Sequence, residues 1–283
     1  MTSIFDTPEF NDRIFFPDRE WSVPADGASD RFVEVESGVR LHVRFYTASE
    51  PVAALLLFHG NGELIAQYDR AASPFAKVGA RLIVMDYRGY GRSDGAPTFR
   101  NCLHDAVVVA THVRRSLDEE GSSLPLVVMG RSLGAASAAE IAGRNLDAVR
   151  GIVLESGAGD IEATVRRRNL PPTEPLSKLD YDDFDPRAKL ARSGAPLLVL
   201  HAERDASIPV AEAIAAYEAS GAVDKRLAII SDLGHNTLSL DPRYWQELRA
   251  FLARVAERAL GSSCRAVGGT SCPSTGVDPP RDR

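Results

Sequence analysis

The chain has 283 residues, long enough for one large α/β domain with a substantial buried core. Its 33 basic and 39 acidic side chains give a net charge of -6, which argues against a nucleic-acid partner and favours a free cytoplasmic protein. Its 3 cysteines argue against a disulfide framework or a metal cluster. With neither a secretory signal nor a bilayer-length apolar segment in the sequence, we expect no stable membrane insertion.

The first part of the chain predicts an extension followed by a β-hairpin. Residues 1–28 are rich in turn-forming residues, and aromatic side chains are available to anchor them on the domain: Phe10, Phe15, Phe16 and Trp21. Apolar and polar residues alternate in 31–36 and again in 39–46, on either side of Ser37-Gly38. This alternation predicts two half-buried antiparallel strands.

A different pattern begins at Val52. Residues 52–58 form a continuous apolar run, which is typical of a strand covered on both faces. Similar runs recur at 81–85, 126–129, 152–154, 197–200 and 227–230, and helix-length stretches separate them at about 64–77, 100–119, 133–144, 210–220 and 242–260. The alternation predicts parallel βαβ units in an open sheet, with active groups at the carboxyl ends of the strands.

Two segments depart from this alternation. Residues 157–193 are longer than one crossover requires and contain Arg166-Arg167-Arg168, with a helix predicted near 186–190, so we interpret them as a lid. Residues 261–283 are rich in Gly, Ser, Pro and Thr and are predicted to be a disordered tail. The predicted organisation is an extension at 1–28, a catalytic domain at 29–260 that includes the lid at 157–193, and a tail at 261–283.

A nucleophile is predicted at Ser132. The apolar run 126–129 leads into Gly130-Arg131-Ser132-Leu133-Gly134, and a small-residue stretch with good helix propensity follows. This is a G-x-S-x-G element between a strand and a helix. The serine in such a turn has a strained backbone, and side chains at the flanking glycines would collide with neighbouring elements. The pattern exposes the serine hydroxyl above the amino end of the helix.

A serine hydroxyl needs a base that removes its proton and an acid that orients the base. His235 follows the last predicted strand in a glycine-containing loop, and Asp205 follows the run 197–200. The order Ser132, Asp205, His235 is the serine–acid–histidine order of α/β-hydrolases. Glu155, at the end of the run 152–154, is an alternative acid, and Glu203 is a weaker one.

Hydrolysis also needs hydrogen-bond donors for the oxyanion. We expect one to be the backbone N–H of Leu133, the residue after the nucleophile, at the start of the helix. The second is expected from the loop after Phe58, where the backbone N–H of Asn61 is our candidate. His59 in the same loop is interpreted as a brace that acts through hydrogen bonds.

Taken together, the motifs resemble the α/β-hydrolase superfamily. The segments that carry the resemblance are His59-Gly60-Asn61-Gly62, residues 86–93 (DYRGYGRS), the G-x-S-x-G element, Asp205, and Gly234-His235. The chain looks like the Bem46-like branch, which includes protein depalmitoylases. The resemblance implies an α/β-hydrolase fold: a mostly parallel central sheet with an antiparallel N-terminal hairpin, helices on both faces and a short lid insertion. The amino end lacks the cysteine cluster of the eukaryotic depalmitoylases, so their substrate does not carry over.

The sequence therefore predicts a cytoplasmic serine hydrolase that cleaves a small-molecule acyl ester or thioester through an acyl-enzyme, with no cofactor and no metal. An amidase or peptidase using the same triad is one alternative, and a non-catalytic binding module of the same fold is another. Arg166-Arg167-Arg168 suggests an anionic substrate group, against the simpler interpretation of a solvated basic turn. Acyl-chain length, leaving group and oligomeric state are left open.

Overall fold

An eight-stranded sheet forms the centre of the molecule in a computed structural model that describes residues 3–157, 159–167, 180 and 183–266. The strands are β1 (Ala28–Glu36), β2 (Val39–Tyr46), β3 (Ala53–Phe58), β4 (Ala80–Met85), β5 (Leu126–Arg131), β6 (Val149–Glu155), β7 (Leu197–Ala202) and β8 (Lys225–Ile230). Their order across the sheet is β1-β2-β4-β3-β5-β6-β7-β8. Pairings β1–β2 and β2–β4 are antiparallel and the others are parallel, which confirms the predicted hairpin and parallel sheet.

Helices connect most of these strands. They are α1 (Pro8–Ile14), α2 (Ile65–Tyr68), α3 (Ala72–Lys77), α4 (Phe99–Glu119), α5 (Gly134–Arg144), α6 (Ile161–Arg167), α7 (Pro186–Ala191), α8 (Val210–Ala219) and α9 (Pro242–Ala266). Short 3₁₀ turns lie at Ile4–Asp6 and Leu238–Leu240. Within the described residues, no helix combines the length and the apolar character that crossing a membrane requires.

The strand order reverses next to β3. The chain passes from β3 to β4 on one side, and β5 then pairs with β3 on the other side, with Phe58 opposite Gly130. The loops after β3 and β5 therefore open side by side at the carboxyl edge of the sheet. Open α/β sheets bind ligands at such a reversal.

Apolar side chains cover the sheet on both faces. Alternate residues of β3 belong to two separate core clusters, because successive side chains of a strand point to opposite faces. Ala54, Leu56 and Phe58 pack in the cluster that includes α4 and α5, whereas Ala53, Leu55 and Leu57 pack in the cluster that includes α9. This two-sided burial explains why the strand sequence is continuously apolar.

The helix expected at 64–77 is split into α2 and α3. Pro74 lies in the first turn of α3, where its missing N–H is tolerated. In one continuous helix the same residue would leave the carbonyl of Arg70 without a donor, and its ring would crowd the preceding turn. The chain therefore breaks at residues 69–71.

The N-terminal arm, defined here as residues 3–16, is anchored differently from the prediction. Phe10 and Phe15 are buried as expected, but Phe16 and Trp21 are 56% and 52% exposed. The Trp21 ring instead lies 5.0 Å from the guanidinium carbon of Arg92, a cation–π contact at the surface.

Parts of the predicted lid and tail lie outside the described residues. These parts are residues 158, 168–179 and 181–182 of the lid segment and residues 267–283 of the tail. The helix predicted near 186–190 is present as α7, and α9 continues through residues 261–266, which the sequence had assigned to the tail.

Candidate active site

The turn from β5 into α5, residues 130–134, forms a sharp elbow with Ser132 at its tip. Ser132 has a φ of 51°, a left-handed conformation that L residues rarely adopt, and its backbone N–H donates to the Glu155 carbonyl at 2.8 Å. A Cβ on Gly130 would lie 2.2 Å from the Gly134 oxygen, and a Cβ on Gly134 would lie 2.0 Å from the Phe58 oxygen. Both glycines are therefore required by close backbone approach.

The structure brings Ser132, His235 and Asp205 into one hydrogen-bonded series. His235 Nε2 lies 3.0 Å from Ser132 Oγ, and His235 Nδ1 lies 2.7 Å from Asp205 Oδ2. Asp205 and His235 follow β7 and β8, so the three side chains meet at the carboxyl edge of the sheet. This is the arrangement in which a carboxylate orients an imidazole toward a serine hydroxyl.

The Asp205 carboxylate is fixed by its own loop. Its Oδ1 accepts hydrogen bonds from the backbone N–H groups of Ser207 and Ile208, both at 2.8 Å, and its side chain is fully buried. These donors leave Oδ2 directed at His235. The loop after β7 therefore aims the carboxylate without help from a flexible side chain.

His201, at the end of β7, supports that loop through a hydrogen bond to its backbone. Its Nε2 lies 2.9 Å from the Ile208 carbonyl, a contact in which the nitrogen donates, and the ring is completely buried. Burial lowers the pKa of His201, since a charged imidazole loses its hydration there, although the Ile208 carbonyl and Asp205 act in the opposite direction. These contacts give His201 a structural role in the loop.

The alternative acids contact other groups. Glu155 Oε2 accepts from the Tyr244 hydroxyl at 2.8 Å, and its Oε1 lies 3.3 Å from Arg131 Nε. Glu203 is exposed and accepts from the backbone N–H of Asp232 at 3.4 Å. Of these carboxylates, Asp205 is the one hydrogen-bonded to the imidazole.

The loop after β3, residues 59–63, forms the wall opposite the elbow. Asn61 and Leu133, whose backbone N–H groups were predicted as oxyanion donors, both line one cavity with Ser132. The Asn61 side chain is also a junction, because its Oδ1 accepts from the Tyr90 hydroxyl at 2.9 Å and its Nδ2 donates to the Ile14 carbonyl. The residue was predictable from the sequence, but this second role was not.

His59 braces the loop, as predicted. Its Nδ1 lies 2.8 Å from the Gly60 carbonyl, and its Nε2 lies 3.3 Å from the buried carboxylate of Asp86. Burial alone would raise the pKa of Asp86, but hydrogen bonds with His42 and His59 outweigh it and hold that pKa below its usual range. A buried polar layer therefore supports the loop from beneath.

Comparisons with known proteins bear on the fold and on the family that the chain resembles. A family model described as Hydrolase_4, serine aminopeptidase S33, matches residues 49–179, a span that includes Ser132 but neither Asp205 nor His235. The solved structure of the Pyrococcus furiosus esterase Pf2001 matches with a TM-score of 0.68 and 19% identity, over 85% of this chain and 98% of that one. The chain has the α/β-hydrolase fold.

Its curated relatives confirm the resemblance to the Bem46-like branch of α/β-hydrolases. Protein bem46 of Schizosaccharomyces pombe is 23% identical over 206 residues, which is 70% of this chain and 67% of bem46. The uncharacterized membrane protein YNL320W of Saccharomyces cerevisiae is 29% identical over 184 residues, 63% of this chain. That alignment spans 62% of the yeast protein's length.

The protein has a cavity of about 840 Å³ at the site. Ser132 and His235 lie on its wall, together with residues of the N-terminal arm, the β3 loop, α4, α6 and the loop after β7. The volume falls within the range of about 300–1,000 Å³ that small-molecule sites occupy. The site can therefore admit a small-molecule substrate next to the serine hydroxyl.

Arginines on and near the cavity wall are paired with carboxylates. Arg167 forms an ion pair with Glu212, which is 5% exposed. Arg166 is exposed, is not among the described residues that line the cavity, and pairs with Glu162 at 3.5 Å. Arg168 lies outside the described residues. Arg167 thus enters the cavity already neutralised, which favours the simpler interpretation of the arginine run.

Arg131 and Glu63 are residues of the site that were not predicted from the sequence. The two side chains form an ion pair, and Arg131 also donates to Asn236 Oδ1 at 2.8 Å, next to His235. Glu63 accepts from the Gly60 N–H at 3.0 Å. The position of Arg131 inside the G-x-S-x-G element was a usable signal, whereas Glu63 carries no local pattern of its own.

Proposed function

We propose that the chain is a serine hydrolase that cleaves a carboxylic ester or thioester through an acyl-enzyme. The observation that carries the proposal is the series Ser132 Oγ, His235 and Asp205, joined at 3.0 and 2.7 Å. In it, Ser132 is the nucleophile, His235 the general base and then the general acid, and Asp205 the group that orients the imidazole and stabilises its charged form.

The first half of the reaction acylates Ser132. Its Oγ attacks the substrate carbonyl carbon, and His235 Nε2 takes the hydroxyl proton. As the tetrahedral intermediate collapses, the bond to the leaving oxygen or sulfur breaks and the alcohol or thiol leaves with the proton from His235. In the second half, water repeats the sequence, so the acid is released and Ser132 regains its proton.

The negative charge of the tetrahedral intermediate needs donors on the other side of the carbonyl. We assign the backbone N–H groups of Leu133 and Asn61 to this role, since both residues line the cavity with Ser132. Leu133 is the N-cap residue of α5, so the positive end of the helix adds to the stabilisation.

The test is hydrolysis of p-nitrophenyl butyrate by the Ser132→Ala variant. We expect loss of turnover to the level of the uncatalysed reaction, and loss of labelling by a fluorophosphonate probe. Ser207→Ala is the matched control, because Ser207 is also a cavity-wall serine and its contact with Asp205 uses only its backbone N–H. Retained activity in Ser132→Ala would reject the proposal. A wild-type protein that the probe fails to label would indicate a non-catalytic binding module.

A second candidate is an amidase or peptidase on the same residues. The observation in its favour is the family description, serine aminopeptidase, for the model that matches residues 49–179. Turnover of aminoacyl p-nitroanilides at a higher kcat/KM than that of p-nitrophenyl esters would favour it. The cytoplasmic location is likewise a proposal, to be tested by fractionation of the native cells.

A further inference from the structure

The N-terminal arm packs beside the nucleophile instead of extending along the sheet. Within it, the side chain of Thr7 accepts from the backbone N–H of Phe10, and Pro8 occupies the first turn of α1, so the helix begins there for local reasons. Phe5, Phe10 and Ile14 are each at most 2% exposed. The arm is therefore part of the core around the site.

The cavity that contains Ser132 has an apolar, buried side and a polar, exposed side. The apolar side is formed by residues of one core cluster that are each at most 7% exposed: Phe5, Ile14, Phe99, Ile161 and Phe184. The other side is formed by polar residues that are partly or fully exposed, among them Gln67, Arg131, Ser207 and Asn236. Ser132 is accessible from the same cavity, so a bound ester would meet both environments.

Phenylalanine rings close the apolar side. The ring of Phe5 lies 4.5 Å from that of Phe184 and 5.7 Å from that of Phe99, measured between centroids. Phe10 packs edge-on against Phe5 at 4.8 Å, but it is not among the described residues that line the cavity. Phe5 therefore lies between the cavity and Phe10, whereas Phe99 and Phe184 line the cavity beside it.

Polar contacts hold the arm in this position. Asn11, which is 6% exposed, donates from Nδ2 to the Phe5 carbonyl at 3.1 Å, and its Oδ1 accepts from the Phe99 N–H at 2.7 Å. At the other end, the side chain of Asn61 bonds to the backbone of Ile14 and Phe16. The wall that Phe5 forms is thus fixed both to α4 and to the β3 loop.

We propose that the apolar side of the cavity is the binding site for the acyl chain of the substrate, and that Phe5 of the arm limits the length of that chain. The inference rests on the proposed hydrolase function and adds a substrate class to it: an ester or thioester of an unbranched hydrocarbon acid. The alcohol or thiol that such a substrate releases is its polar part.

The chemistry of the two sides sets this orientation. Transfer of a hydrocarbon chain from water to a buried apolar wall is favourable for each methylene group, and the polar side offers no such wall. The leaving group has to depart after acylation, and the exposed side gives it a path to solvent. The acyl-enzyme therefore keeps its chain against Phe5, Phe99 and Phe184.

The experiment compares kcat/KM for p-nitrophenyl acetate, butyrate, octanoate and decanoate in the wild type, Phe5→Leu and Phe5→Trp. In the wild type we expect kcat/KM to rise about fourfold for each buried methylene and then to fall once the chain reaches Phe5. Phe5→Leu shifts the optimum to longer chains, and Phe5→Trp shifts it to shorter ones. An unchanged profile in both variants would overturn the proposal.

Phe10→Leu is the matched control for packing. It alters the same aromatic cluster, since Phe10 lies 5.7 Å from Phe99 as well as against Phe5, but it changes no residue of the cavity wall. We expect it to lower thermal stability about as much as Phe5→Leu does, with the wild-type chain-length profile retained. An equal shift in Phe10→Leu would show that general loosening, and not the wall, sets the profile.

A binding measurement separates this inference from the proposed function. Ser132→Ala retains the cavity, so titration calorimetry with decanoate reports acyl binding without turnover. If decanoate affinity depended on Phe5 but the wild-type protein hydrolysed no ester, the result would count against the catalytic proposal alone. Ester hydrolysis with no Phe5 dependence of chain length or of decanoate affinity would count against the acyl site alone.

Discussion

Gly134 lies against the end of β3 so closely that a Cβ on it would stand 2.0 Å from the carbonyl oxygen of Phe58. The first turn of α5 is therefore in backbone contact with the strand that leads into the β3 loop. Because Ser132 precedes Gly134 by two residues and Asn61 follows Phe58 by three, this contact sets the spacing between Ser132 and Asn61, the residues we propose as nucleophile and second oxyanion donor.

We expect Gly134→Ala to lower the free energy of unfolding by about 1–3 kcal/mol, the usual cost of overpacking a buried site. The neighbour is a backbone atom that cannot rotate away, so we also expect ester hydrolysis to fall. Urea unfolding and kcat/KM measure the two effects. Gly194→Ala is the control, since nothing lies within 4 Å of a Cβ there. Equal stability of the two variants would contradict the close contact.

The strands and the elbow at Ser132 were predictable because their causes are local. Burial on both faces requires each parallel strand to be apolar at successive positions, so a segment such as 53–58 is visible from its own composition. The elbow around Ser132 needs glycine at both flanking positions for steric reasons, which leaves a five-residue pattern. Chain order and strand ends then sufficed to select Asp205 and His235.

The supporting contacts were not predictable, since they join residues far apart in the chain. The hydroxyl of Tyr244 bonds to Glu155, 89 positions away, and the side chain of Asn61 bonds to Ile14, 47 positions away. No local pattern records such partners. The same holds for Phe5, whose place on the cavity wall depends on how the arm packs and not on its own sequence neighbours.

The identity of the triad acid gives a sharp kinetic prediction. We expect Asp205→Asn to lower kcat/KM for p-nitrophenyl butyrate about 10,000-fold, because the amide can no longer hold His235 in the required tautomer or stabilise its charge. Glu155→Gln is expected to change kcat/KM by less than about tenfold, since its contacts are with Tyr244 and Arg131. Steady-state kinetics of both variants provide the measurement.

Stability distinguishes the two carboxylates further. Glu155 is 4% exposed and accepts a hydrogen bond from the buried Tyr244 hydroxyl, so we expect Glu155→Gln to lower the free energy of unfolding by about 1–3 kcal/mol. Glu203→Gln is the control at an exposed position. A larger kinetic loss in Glu155→Gln than in Asp205→Asn would assign the acid to the earlier strand.

Because His201 is buried, we expect the stability of the protein to depend on pH. Burial lowers its pKa in the folded state below the ordinary 6.5, so as pH falls through 6.5 the unfolded chain binds a proton that the folded chain does not. Stability from this residue is therefore complete above pH 6.5 and decreases as pH falls toward the folded-state pKa. Thermal unfolding, followed from about pH 8 down to about pH 5, measures the decrease.

His201→Gln is the matched variant for this measurement. Its amide can still donate to the Ile208 carbonyl but does not titrate, whereas Asp205, His235 and Glu212, the charged or titratable neighbours of His201, are unchanged. We expect the stability of the variant to depend less on pH than that of the wild type. Parallel pH profiles would show that His201 contributes nothing to the dependence.

Glu63 is predicted to position the oxyanion loop. Its carboxylate accepts from the Gly60 N–H at 3.0 Å and the Tyr68 hydroxyl at 2.6 Å, and it pairs with Arg131 beside the nucleophile. It thus connects the loop that carries Asn61 to the elbow. Loss of one full oxyanion donor costs about 100–1,000-fold in kcat. A displaced loop should cost less, so we expect Glu63→Gln to lower kcat about tenfold.

The division of the effect between kcat and KM tests this role for Glu63. A group that positions an oxyanion donor acts in the transition state, so KM for p-nitrophenyl butyrate should stay within about twofold of the wild type. Tyr68→Phe is the matched control, because it removes one hydrogen bond from the Glu63 carboxylate and leaves its ion pair with Arg131 intact. We expect it to retain most of kcat. If Glu63→Gln lowered the free energy of unfolding but left kcat unchanged, Glu63 would support the fold alone, and the connection between loop and elbow would have no part in catalysis.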